Sequence, residues 1–270
     1  APWNTKRFSK SVVGEAKSKV VDTIVNTHAF LTLYADIDGF DPAEHPFQVP
    51  TGRLDRWILS RLHSLVTAAN EALSDNDFLT AAKGIEEFVD GLSNWYIRRS
   101  RDRFWGSGLT EDKLDAYRTL TEVLTTLARL IAPFMPVLAE DLYSNLGGKT
   151  SVHLADYPEA DASLIDAELE RDMKTSQQIV ELARNVRNEN SLKTRQPLSE
   201  LIVSMDREFD LADYAEIVKD EINVKEIRIE SGDSDFVDYT LKLNLKVAGK
   251  KYGKNVGFLQ NHFKGMTAEA

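Results

Sequence analysis

Four arginines and two tryptophans fall within one short run, Ser93-Asn94-Trp95-Tyr96-Ile97-Arg98-Arg99-Ser100-Arg101-Asp102-Arg103-Phe104-Trp105. Planar guanidinium forks beside Trp and Tyr rings suit phosphate contacts and base stacking. The run follows an apolar series, Phe78, Ala81, Ile85, Phe88, Val89 and Leu92, whose spacing is that of one face of a helix. At about 100° per residue, Tyr96, Arg99 and Arg103 continue that face, while Arg98 and Arg101 lie on its flank. A stripe expected to be buried therefore turns cationic and aromatic in its last turns. A buried guanidinium is costly unless paired. Either these turns emerge from the core onto an anionic partner, or their arginines meet the helix dipole and neighbouring carboxylates. The run by itself leaves both readings open.

Two further stretches are locally basic. Arg184, Arg187, Lys193 and Arg195 crowd the end of a long helical pattern, opposed only by Glu189. Lys242, Lys246, Lys250, Lys251, Lys254 and Lys264 follow with no acid between Asp238 and Glu269. Three basic islands in a chain of formal net charge −10 exceed what solvated faces require. The overall charge argues against indiscriminate nucleic-acid binding but leaves room for a local footprint.

Other chemistry is sparse. His28, His45, His63, His153 and His262 show no metal-ligand spacing, so no metal site is expected. Asp36-Ile37-Asp38-Gly39 has part of a calcium-loop pattern without its later Glu and reads as a helix end. No phosphate loop, nucleophile elbow or carboxylate dyad stands in its usual surroundings. Arg7-Phe8-Ser9-Lys10-Ser11 resembles the ATP-holding loop of class I aminoacyl-tRNA synthetases. It lacks a surrounding nucleotide-binding strand–helix–strand unit, and we read it as coincidence. The chain itself reads as non-catalytic.

The elements that must position these groups are mostly helical. Helices are expected over about Val12 to Ile37, from near Leu54 to Leu73, and from the cap Asp75-Asn76-Asp77 through the Arg-rich run to Gly106-Ser107-Gly108. Another begins after Thr110 and is bent at Pro133 and Pro136 into a second, closed by Gly147-Gly148. Together these predict an antiparallel helical bundle over 1–148. Lys149 to Pro158 reads as an extended crossover and Ile165 to about Asn188 as a long helix, so that 149–194 completes the bundle. From Pro197 the pattern changes: strand over Leu198 to Met205, helix over Phe209 to Glu221, and strand over Val224 to Ile229. Period-two alternation follows over Phe236 to Val247, then a helix over Asn255 to Phe263. The expected fold is mainly α, with a small C-terminal α+β module over 195–270.

At 270 residues with 42% hydrophobic and 28% charged residues, the chain has the composition of an ordinary globular protein. No apolar run approaches the ~18–20 residues of a membrane span. Ala1-Pro2-Trp3-Asn4 lacks the pattern of a secretory leader, and the abrupt start suggests a piece of a longer protein. The absence of Cys rules out disulfide and thiolate chemistry and fits a cytoplasmic setting.

Several segments, in order, resemble the C-terminal part of isoleucyl-tRNA synthetases. They are Asn26 with Phe30 and Tyr34-Ala35, Leu54 to Leu62, Ser93 to Trp105, and Ala132-Pro133-Phe134-Met135-Pro136 with Glu140. Ser151-Val152-His153-Leu154, Arg195-Gln196-Pro197-Leu198, Asn223-Val224-Lys225-Glu226 and the Lys-rich tail at Leu243 to Gly253 continue the match. The missing Cys-rich terminus fits the longer, eukaryote-like branch of that family. The resemblance implies an anticodon-binding helical bundle and a junction module. It implies a parent that activates isoleucine with ATP and Mg2+ in upstream catalytic and editing domains, and tRNA-Ile as the partner. We expect no cofactor in this segment, no membrane contact and a monomer. The residues carried as RNA-binding candidates are Trp95, Tyr96, Arg98, Arg99, Arg101, Arg103, Trp105, Arg184, Arg187, Lys193, Arg195, Lys242, Lys246, Lys250, Lys251 and Lys254.

Overall fold

A computed structural model describes residues 9–205, 209, 214–230 and 245–263. The protein is mainly helical, with one two-stranded parallel sheet among the described residues. It divides into two compact units, Ala1–Met173 and Lys174–Ala270.

The first unit begins with α1 (Lys10–Ala16), which passes through a π-helical stretch (Lys17–Asp22) into α2 (Thr23–Asp38). Gly39, at φ 68°, ends α2 in a left-handed cap that a Cβ would strain. Helix α3 (Arg53–Ser74) follows the proline-marked loop. Helix α4 (Phe78–Gly91) is capped by Asp77, whose carboxylate accepts the Thr80 amide, and runs through a second π stretch (Leu92–Ile97) into α5 (Arg98–Trp105). A π turn holds one residue more than an α turn. Here Tyr96 and Ile97 are both buried, and the buried stripe resumes at Ser100 and Phe104. Thr110 caps α6 (Glu111–Ile131), the most deeply buried helix, and Pro136 opens α7 (Pro136–Asn145). Proline suits a first helical turn because its missing N–H has no partner there in any case.

The segment between α7 and α8 (Ala167–Glu189) is irregular apart from short 3-10 turns at Val152–Leu154 and Ala162–Leu164. The expectation of an extended crossover over Lys149 to Pro158 is corrected at Val152-His153-Leu154, which form a 3-10 turn. The Ser151 hydroxyl accepts the His153 amide, and the Glu140 carboxylate takes both the Ser151 hydroxyl and the Val152 amide, which curls the chain. Further along, Asn70 donates to the Pro158 carbonyl, Tyr157 to the Leu130 carbonyl, and the Asp166 amide to Ser60.

His63 anchors the same segment by accepting the Asp161 amide at Nδ1, 3.1 Å away, so that nitrogen carries no proton. Its Nε2 is buried with no partner among the described residues. Burial pushes the His63 pKa below its ordinary 6.5, against the pull of Asp161 and Glu122. The native state therefore favours neutral His63, and the corresponding stability is full above pH 6.5 and lost as pH falls through the lowered value. His28, also lowered by burial, acts in the same sense. Denaturant melts at pH 7.5 and 5.5 should show a loss of stability that shrinks in His63→Gln. An equal loss in both proteins would exclude His63 as its source.

In the second unit, β1 (Leu198–Ser204) and β2 (Val224–Glu230) pair in parallel, Leu198 opposite Val224 and Ser204 opposite Glu230. Helix α9 (Ala215–Ile222) lies between them in the chain, as a parallel crossover requires. Asn223, at φ 52°, turns the chain from α9 into β2. The alternation expected over Phe236 to Val247 falls mostly outside the described residues. Its end is corrected: Leu245 to Val247 belong to α10 (Leu245–Tyr252). Three residues of alternation do not decide a strand against a helix, and Ala248 of that helix is buried. A 3-10 turn (Gly253–Asn255) leads into α11 (Val256–Phe263).

Candidate nucleic-acid interface

The Arg-rich run splits into an inner and an outer set. Tyr96 is fully buried and donates its hydroxyl to Asp55 Oδ1 at 2.6 Å. Arg103 grips the same carboxylate with both terminal nitrogens, at 2.9 and 2.8 Å, and reaches the Asp112 carboxylate with Nε at 3.0 Å. Burial alone would lower the Arg103 pKa, but Asp55 outweighs it and holds the guanidinium charged. Burial, reinforced by the Asp55 charge, pushes the Tyr96 pKa well up, so its phenol stays protonated. Asp55 lies in the first turn of α3 with no solvent exposure, close enough to Gly52 that a Cβ there would meet its Oδ2 at 2.8 Å. The RNA-facing expectation for Tyr96 and Arg103 is thereby corrected, because their polar atoms are spent inside the unit.

The outer set is the more solvent-exposed of the two. Arg98 and Arg101 are exposed, while Trp95 and Arg99 are half-buried. Trp105 is 57% exposed, and its indole N–H donates to the Tyr34 hydroxyl at 2.7 Å. Behind that pair, Phe30, Tyr34 and Phe104 pack ring against ring, and Phe104 meets Tyr117 edge-on at 4.9 Å. Tyr117 donates to Asp38, which also pairs with the buried ammonium of Lys113 at 2.5 Å. Burial raises the Asp38 pKa, but the Lys113 and Tyr117 hydrogen bonds prevail and hold it below the ordinary carboxylate value.

The second island, in the other unit, divides in the same way. Arg184 is half-buried and pairs with the buried carboxylate of Glu221. Arg187 is 3% exposed and donates to four carbonyls, those of Lys193, Gln196, Ile222 and Asn223. An inward-facing Arg187 is a second correction, because its guanidinium is spent on backbone carbonyls inside the unit, that of the buried Ile222 among them. Lys193 and Arg195 are exposed on the loop that Arg187 ties down. In the third island, Lys251 is exposed with its ammonium 5.6 Å from the Tyr252 ring centroid. Lys246 and Lys250 lie on α10 and Lys254 in the following turn, whereas Lys242 is outside the described residues.

What the residue pattern alone overlooked are the acidic and phenolic partners. Asp55 stands at helical spacing with Ile58, Leu59 and Leu62, all buried, which places an acid on a core stripe. A second stripe carried Arg103. Two opposite charges, each at a buried position, were the available sign of a pair.

No group of His, Cys, Asp or Glu that could hold a metal occurs among the described residues. No helix among them is long and apolar enough to cross a membrane.

Residues 55–202, more than half the chain, match the family model described as the anticodon-binding domain of tRNA ligase. The chain belongs to that family. Its whole length is similar, at 49% identity, to isoleucine–tRNA ligase 2 of Bacillus cereus, and 99% of it at 48% to isoleucine–tRNA ligase of Bacillus thuringiensis. Isoleucine–tRNA ligase of Clostridium novyi is 41% identical over 98% of the chain. The chain spans 26% of the length of each of these relatives.

Proposed function

We propose that this chain is the anticodon-region tRNA-binding segment of an isoleucine–tRNA ligase. It holds tRNA-Ile while upstream catalytic and editing domains of the same protein carry out ATP- and Mg2+-dependent aminoacylation. The observation that carries the reading is the open end of α5, inside the family match. Arg98, Arg101 and Trp105 stand there at i, i+3 and i+7 and so share one helix face over about 10 Å. Two guanidinium groups and an indole on one face suit a backbone with unpaired bases. The exposed Lys193, Arg195 and Lys251 are further candidates, as is the half-buried Arg99.

The organisation we propose is an antiparallel bundle over 1–148, completed by 149–194, with an α+β junction module over 195–270. The compactness boundary at Met173 falls inside α8 and differs from this functional division. We further propose that the segment acts as a monomer in the cytoplasm.

Arg101→Ala should weaken tRNA-Ile binding, and Arg98→Ala/Arg101→Ala should weaken it further. The plot of log affinity against log salt should flatten by about 0.7–0.9 for each phosphate contact removed. Both variants should melt close to the parent, because neither residue lies on the buried stripe. An unchanged affinity and slope in the double variant would remove α5 from the footprint.

A second reading, a helical protein-interaction domain whose basic islands are paired internally, draws on two observations. Arg103, Arg184 and Arg187 have internal partners. An apolar groove of about 500 Å³ in the second unit is lined by Leu182, Val186, Leu201 and Val203, with Leu182 65% exposed. That reading expects no tRNA affinity above the background of other RNAs.

A further inference from the structure

We infer that Trp105 is a preset stacking platform for one unpaired nucleobase, an inference that rests on the tRNA-binding reading and narrows it to a subsite. An exposed Trp at a helix end would ordinarily sample several rotamers, and ordering it on binding would cost free energy. Here the indole N–H is already committed to the Tyr34 hydroxyl at 2.7 Å. Tyr34 is itself held against Phe30, with ring centroids 4.9 Å apart, and Phe30 against Phe104 at 5.0 Å. The bond ties down the nitrogen edge of the indole, while 57% of the residue stays open to solvent.

Three features around the ring favour a nucleotide over an apolar protein segment. The exposed Arg101 stands one turn back on the same face, where it can meet a phosphate. The exposed Gly106, Ser107 and Gly108 follow directly, so the chain beyond the ring carries only one small side chain to obstruct a flat ligand. The committed indole N–H cannot serve as a base-specific donor, so the platform offers a π face and reads little sequence. Trp95, half-buried one turn into the π stretch, lacks this openness.

The test uses the 270-residue chain with an RNA stem–loop carrying the anticodon loop of tRNA-Ile, and with versions in which one loop base at a time is abasic. Trp105→Ala should lower affinity for the intact stem–loop by about five- to hundred-fold without changing the salt slope, since no charge is removed. One abasic version should bind the parent protein with a similar loss and be indifferent to Trp105→Ala. Trp105→Phe should recover part of the affinity. In protein labelled with 5-fluorotryptophan, the 19F resonance that vanishes in Trp105→Phe should shift when the stem–loop is added. This readout does not depend on how well the alanine variant folds. Full binding with that resonance unmoved, or an equal effect of Trp105→Ala on every abasic version, would overturn the platform and leave the tRNA-binding reading intact. Failure of the parent protein to bind any of these RNAs would overturn both.

Discussion

Asp55→Ala should destabilise the helical unit by about 3–5 kcal/mol, the cost of stranding a buried charge by deleting its partner. The carboxylate has no solvent exposure, and three hydrogen bonds converge on it, two from Arg103 and one from Tyr96. With the carboxylate gone, the Arg103 guanidinium keeps only Asp112, whose side chain is 66% exposed and therefore screened by solvent. The Tyr96 hydroxyl loses its acceptor as well. The charge on Arg103 will not relax by deprotonation, because an Arg pKa is far above any working pH. Much of the penalty thus comes from the stranded partner, and Asp55→Ala/Arg103→Met should be markedly less destabilised than the sum of the single changes. Arg103→Lys should behave as a disruptive change, since one ammonium cannot reproduce the two-pronged grip. Chemical denaturation of the four proteins measures the coupling. Additive single and double variants would show that the pair contributes nothing beyond its separate members. Binding follows from the same geometry: Asp55→Ala should also weaken tRNA-Ile affinity, because Arg103 roots the helix that carries Arg98, Arg101 and Trp105. The salt slope should flatten to the extent that Arg98 and Arg101 no longer reach phosphate.

The helices were largely legible because their apolar residues recur at helical spacing and their ends carry caps. Asp77 and Thr110 both accept amides as expected, and Gly39 takes the left-handed turn. The strand–helix–strand order after Pro197 was legible from the change of period, although the parallel pairing was not, since alternation fixes the face of a strand and not its neighbour's direction. The curl at Val152–Leu154 was hidden because it depends on Glu140, far enough away in the chain that no local pattern links them. The same limit governs the interface. Residue type marked every arginine of the run as a possible phosphate ligand, but what separates Arg103 from Arg101 is an aspartate on another helix. Arg187 was harder still, because its partners are backbone carbonyls, which every residue carries and no sequence pattern marks.

Arg187→Met is the change with the largest expected effect on the second unit. The guanidinium gathers the carbonyls of Lys193 at 3.0 Å, Gln196 at 3.1 Å, Ile222 at 2.7 Å and Asn223 at 3.1 Å. It thereby ties the loop after α8 to the end of α9. The Asn223 side chain supports the same closure by donating to the Thr194 carbonyl, and the Asn223 carbonyl also accepts the Leu198 amide where β1 begins. Hydrogen bonds to a charged group are worth about 1.5–3 kcal/mol each. Water can reach the loop carbonyls of Lys193 and Gln196 once the clip is gone, since both residues are exposed, whereas Ile222 is buried. The net loss should therefore be on the order of 3–5 kcal/mol, below the simple sum of four bonds. Methionine fills much of the same volume, so the deficit would report lost hydrogen bonds more than a cavity. Lysine, a compact charge with its donors on one nitrogen, should rescue only partly. Hydrogen exchange should locate the effect: the Leu198 amide should lose protection, while amides of α6, in the other unit, should keep theirs. Lys193 and Arg195 ride on the freed loop, so tRNA-Ile affinity should fall, and the salt slope should flatten to the extent that these two cations no longer reach phosphate. Full protection of Leu198 in Arg187→Met, with stability within about 0.5 kcal/mol of the parent, would mean the four carbonyls find other partners and the clip is dispensable.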